Sequence, residues 1–196
     1  MGIERARVVE VHSAGSATRR VGAGYLIGER LVLTAGGVVD RRGSTGVRPA
    51  GTAVWYESSA VWAAGDVALL EVDEVLAPPG AMRWGQVSGH RPVPVAAMGF
   101  PPATSRPDRF RDAGQFFGHL QPDFAVEASG ASRLAGEGLH GAALFAGAEL
   151  VGVLLAAGGH RAVAVAAFAG DPRFVAIAGD VDLIPVSAPA SGLSIL

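Results

Sequence analysis

The 196-residue chain contains no cysteine, no lysine and no asparagine, and only 7% of its residues are aromatic. Without cysteine there can be no disulfide framework and no thiolate metal site. That absence also suits a reducing compartment better than a secreted one, so a cytoplasmic location is expected. All sixteen basic residues are arginine, set against eighteen acidic ones, for a net charge of −2. A chain so balanced offers no electrostatic footprint for nucleic acid. Nor is there an uninterrupted apolar stretch long enough for a membrane helix. The longest candidate, around 142–169, is broken by Glu149, His160 and Arg161. The first residues, MGIERARVVEVHS, carry no apolar segment of signal-peptide type. Neither nucleic acid nor a membrane is therefore expected as a partner.

Apolar residues are plentiful, at 49%, but 28 glycines and 12 prolines break them into short runs. Val/Leu/Ile-rich stretches of four to eight residues bounded by turn residues predict strands rather than helices. They fall near 6–12, 22–28, 30–34, 52–56, 67–72, 93–98, 114–120, 123–127, 141–146, 149–156, 162–168 and 174–177. About twelve short strands exceed one small barrel and suit two. The Pro/Gly-rich stretch 77–94 is the expected crossing between them. The lobes are accordingly expected at 1–82 and 83–186, with 187–196 as a tail or linker.

Three segments carry a resemblance. GAGYLIGERLVLTAGGVVD (22–40), DVALLEV (66–72) and GEGLHGAALF (136–145) stand in the order and spacing of the trypsin-like serine proteases, with AMGFP at 97–101 between the last two. The resemblance spans roughly residues 8–180. It implies an all-β fold of two six-stranded antiparallel barrels with a cleft between them. The chain lacks the I-V-G-G start of members activated by cleavage, and so resembles the bacterial, intracellular branch.

Measured against that family, two catalytic side chains are missing. Gly37 stands where the motif T-A-[AG]-H has its histidine, and His140 stands where G-x-S-G has its serine, while Asp66 keeps the aspartate position. Acyl transfer needs a hydroxyl activated by an imidazole, itself oriented by a carboxylate. Gly37 supplies no base, His140 no hydroxyl, and Asp66 nothing to orient. The backbone amides of Gly138 and His140 match the oxyanion-hole donors. Such a hole alone leaves a residual advantage over water of roughly 10³–10⁴-fold, so no useful enzyme is expected. The resemblance also puts the cleft and specificity wall around 131–137 and 155–160, marked by Leu134, Leu155 and His160, with no acidic residue at the pocket base.

In the family the aspartate is buried behind the histidine, so Asp66 is expected to be buried and short of partners. One compensation is that the His140 ring enters the volume vacated at Gly37 and donates a hydrogen bond to Asp66. The alternative is that it simply blocks the cleft. A displaced catalytic centre drawing on His12, His90, His119 or His160, and a metal site from Asp66, His140 and His160, are the rival readings, and no cofactor is expected. The expected function is binding of a protein or peptide ligand, with a fused effector or ATPase domain in a longer chain; a hydrolase of unusual centre is the alternative.

Overall fold

The structure, a computed structural model, describes residues 2–13, 20–39, 44–77, 80–100, 113–129, 137–155 and 161–189. Six strands form the first lobe: β1 (Val8–Ser13), β2 (Arg20–Leu26), β3 (Leu31–Ala35), β4 (Thr45–Pro49), β5 (Tyr56–Ala64) and β6 (Val67–Val72). They close into an antiparallel barrel in the order β1-β2-β3-β6-β5-β4. Both faces of β1 are largely buried, because one face fills the barrel and the other meets the second lobe.

The second lobe holds β7 (Trp84–Val87), β8 (Val93–Gly99), β9 (Gly114–Leu120), β10 (Val126–Ala128), β11 (Ala143–Ala146), β12 (Glu149–Leu155), β13 (Arg161–Ala164) and β14 (Leu183–Val186). Strands β10-β9-β8-β11-β12-β13 follow one another antiparallel. An isolated antiparallel bridge between Ala125 and Arg161 brings β13 back to the start of β10. The second sheet thus curls back on itself, consistent with the double barrel that the family resemblance implies. Outside it, β7 pairs in parallel with β12 at Leu150–Trp84 and with β14 over four residues.

Several sequence expectations need correction. No strand runs through 52–56; β4 and β5 flank that stretch. The expected crossing at 77–94 contains β7, whose Gly85 lets the strand lie close to Glu149 and Val151 of β12. The predicted strand at 174–177 is instead a helix, α1 (Pro172–Ala178). Its start is fixed by the Asp171 carboxylate, which accepts from the N–H groups of Arg173 and Phe174, and by Pro172 in the first turn. Those two N–H groups, Phe174 first, hold the Asp171 carboxyl below the usual aspartate range. Phe174 anchors α1 among Trp62, Trp84 and Phe168 in edge-on ring contacts at 5.0–6.0 Å, a packing shared between the lobes. Among the described residues no helix is long and apolar enough to cross a membrane.

One ion pair is buried beside β2, where Glu10 lies opposite Ala23. Glu10 on β1 and Arg48 on β4 are directly opposed in register, with side-chain exposures of 0% and 5%. Arg48 donates to the Glu10 carboxylate through both Nε and Nη2, and its guanidinium lies 4.7 Å from the Trp55 ring centre. Burial pushes the Arg48 pKa down.

Candidate active-site cleft

Strand β3 ends at Ala35 and the chain turns over Gly36–Val38, closed by the Val38 N–H on the Ala35 carbonyl at 3.1 Å. The Gly36 N–H donates to the Asp66 carbonyl at 2.7 Å. That bond binds this turn to the one joining β5 to β6, so Gly37 and Asp66 are neighbours as the motif order implies. The third position arrives from the second lobe. Residues Glu137–Leu139 make a 3-10 turn, held by the Phe100 N–H on the Gly138 carbonyl at 2.9 Å.

The backbone at 140–141 is gripped on both sides. The Ala23 N–H donates to the His140 carbonyl and the Gly141 N–H to the Leu154 carbonyl, each at 2.8 Å. Gly141 has φ +90, a conformation that favours glycine. A side chain there would strike the Ala23 carbonyl oxygen, the Thr34 hydroxyl and, at 2.9 Å, the Ala35 nitrogen. The Thr34 hydroxyl is itself spent on the Ala23 carbonyl at 2.7 Å. Residue 140 therefore enters the cleft on a fixed backbone.

From that backbone the His140 ring reaches Gly37. Its Nε2 lies 2.9 Å from the point a Gly37 Cβ would occupy, with Cε1 at 3.7 Å and Cδ2 at 4.0 Å. The imidazole thus fills the space that a side chain at residue 37 would need. Asp66 departs from expectation. It is exposed rather than buried, and its carboxylate makes no hydrogen bond or ion pair among the described residues, so the expected bond from His140 is absent. Solvent satisfies this carboxylate, which removes the cost of an unpaired buried charge that the sequence argument assumed.

Gly138 and His140, the residues matching the oxyanion-hole donors, lie in and directly after a 3-10 turn. A 3-10 turn is built from i→i+3 hydrogen bonds. The one over Glu137–Leu139 ends directly before His140, with the Ala142 N–H on the Leu139 carbonyl at 2.9 Å. Leu155 ends β12 half-buried, opposite Arg161. Leu134, His160 and the wall at 131–136 lie outside the described residues.

The remaining histidines lie elsewhere. The His12 ring packs against Trp55 at 5.7 Å, and His90 is exposed in the bend after β7. His119 is exposed on β9, its Nδ1 3.1 Å from the Ser129 hydroxyl. It pairs with Pro94, five residues along β8 from Gly99, which touches the site at Gly138. At a rise of ~3.3 Å per residue it is about 17 Å away. That Ser–His contact gave no sequence signal, since its partners are ten residues apart, one on β9 and one just past the end of β10. Among the described residues no group of three or more His, Asp or Glu could hold a metal.

No protein-family model matches the chain, and no curated protein matches it either. Solved structures do. Deg5 superposes with a TM-score of 0.67 at 14% identity, covering 90% of this chain and 92% of its own. The active form of the Rv3671c protease from M. tuberculosis gives 0.65 at 17%, covering 94% and 86%. An inactive serine-to-alanine form of Rv3671c gives 0.65 at 17%, covering 91% and 90%. At these identities the likeness speaks for architecture, and the chain has the two-barrel fold of the trypsin-like serine proteases.

Proposed function

We propose that this chain is a catalytically inactive trypsin-like domain, serving as an interaction or sensing module for a protein or peptide within a longer bacterial protein of the cytoplasm. The observation that carries this reading is the His140 ring lying over Gly37. One side chain occupies the place of the base and leaves no hydroxyl at the place of the nucleophile, so neither partner of the acyl-transfer step is present. A cleft kept without chemistry can still accept an extended peptide by adding it to a strand edge. In this reading 1–82 and 83–186 are the two lobes, 187–196 leads toward a further effector or ATPase domain, and no cofactor takes part.

The alternative, a hydrolase with a displaced centre, has one feature in its favour: the exposed Ser129–His119 contact. A fluorophosphonate probe together with a casein digest separates the two. The inactive domain is neither labelled nor proteolytic, whereas labelling lost in Ser129→Ala selects the alternative. Labelling lost on changing His140 overturns the proposal as well. As a positive control, Gly37→His combined with His140→Ser restores both missing groups on the fixed backbone and acquires probe reactivity, while Gly37→His alone does not.

A further inference from the structure

Ahead of β1, residues 2–7 lie along the join between the two lobes. The Gly2 N–H donates to the Gly147 carbonyl at 3.0 Å, in the turn between β11 and β12. A side chain at residue 2 would run into the Gly147 carbonyl oxygen at 2.6 Å and the Ala148 backbone. Two residues on, the Glu4 N–H donates to the Tyr25 hydroxyl of β2 at 3.2 Å. Arg7 is buried, its Nε on the Glu4 carboxylate at 3.0 Å and its Nη1 on the Leu26 carbonyl at 3.1 Å. The segment therefore holds the second lobe by its front end and the first lobe by its back end.

The join it covers is the one that sets the cleft. Ala23 and Tyr25 are alternate residues of β2, so their side chains share one face. The Ala23 N–H holds the His140 carbonyl, the Tyr25 ring meets Phe145 edge-on at 5.0 Å, and Gly2 then takes Gly147. Three ties, at residues 140, 145 and 147, thus join the lobes, and Gly2 supplies the last.

We infer that residues 2–7 are a strap that closes the lobe join and keeps His140 seated over Gly37, so that a partner drawing the strap away loosens the plugged cleft. This rests on the non-catalytic reading of the cleft, but its test needs neither ligand nor activity. Gly2→Val and Tyr25→Phe are made in the full chain, and amide exchange is followed residue by residue, with the His140 imidazole signals as a second readout. The expected result is about tenfold faster exchange at the Ala23 amide, the effect of losing one hydrogen bond, and moved His140 signals. Amides of β6 and β9 keep their rates. Unchanged Ala23 exchange overturns the strap, and so does an equal acceleration in β6 and β9, which marks a general loss of stability. If Gly2→Val does not fold, Tyr25→Phe alone decides on the same criteria.

Discussion

Placing alanine at residue 37 tests whether the His140 ring truly owns that space. Gly37 does not have a positive φ, so alanine costs no backbone strain and restricts the unfolded chain, a gain of about 0.4–1 kcal/mol. Against this stands the contact: the new Cβ would be 2.9 Å from Nε2. Ordinary contact begins near ~3.5 Å, so the ring tip has to retreat by roughly 0.6 Å. Turning it off its rotamer costs on the order of 0.5–1.5 kcal/mol. The two effects nearly cancel, and the single substitution is uninformative. In the background of His140→Ala nothing opposes the new methyl, and only the gain remains. A double-mutant cycle by urea unfolding should therefore show a coupling of about 0.5–1.5 kcal/mol between residues 37 and 140. Additivity within about 0.3 kcal/mol would mean that the imidazole lies elsewhere in solution, and the plugged-cleft argument would fail with it.

Two further outcomes follow from groups outside Gly37, Asp66 and His140. Removing one partner of the buried Glu10–Arg48 pair, as in Glu10→Ala, strands a guanidinium that is 5% exposed and should destabilise the fold by about 3–5 kcal/mol. Replacing both with leucine recovers most of that in thermal unfolding, whereas equal losses would show that the charges are not what matters. At the start of α1, the Asp171 carboxyl titrates below its unfolded value. Its support is complete above the ordinary aspartate range and is lost as pH falls through the lower, folded value. Protection of the Phe174 amide should accordingly fade below roughly pH 4 and become pH-independent in Asp171→Asn, which keeps a capping oxygen.

Strands whose apolar runs end at turn residues were plain in the sequence. β6 at Val67–Val72 and β9 at Gly114–Leu120 fall where the runs predict. β4 was hidden because its buried face includes Arg48, which reads as a surface residue until Glu10 is known to oppose it. β7 was hidden by Gly85, a turn signal locally and a requirement for close strand approach in three dimensions. At α1 the apolar run in Phe174–Ile177 suggested a strand, while Asp171, Pro172 and Gly179 carried the better information about a capped helix. At the lobe join, the motif order alone made Gly37, Asp66 and His140 expected neighbours, and the structure brings them near one another. The exposure of Asp66 was not legible, since burial depends on what covers a turn and no local pattern records that.

The parallel ribbon beside the second barrel has a consequence for how the molecule is made. β7 lies between β12 and β14, and the Ser88 N–H donates to the Val186 carbonyl at 2.8 Å, 98 positions away along the chain. A nascent polypeptide leaving the ribosome can close the first barrel once residue 72 has emerged, but one edge of β7 must wait unpaired until residue 186 has followed. Contacts of such long range slow folding and leave that edge open to association in the interval. Truncating the chain before Leu183 should therefore lower the yield of soluble protein more than the loss of four residues of surface strand would suggest.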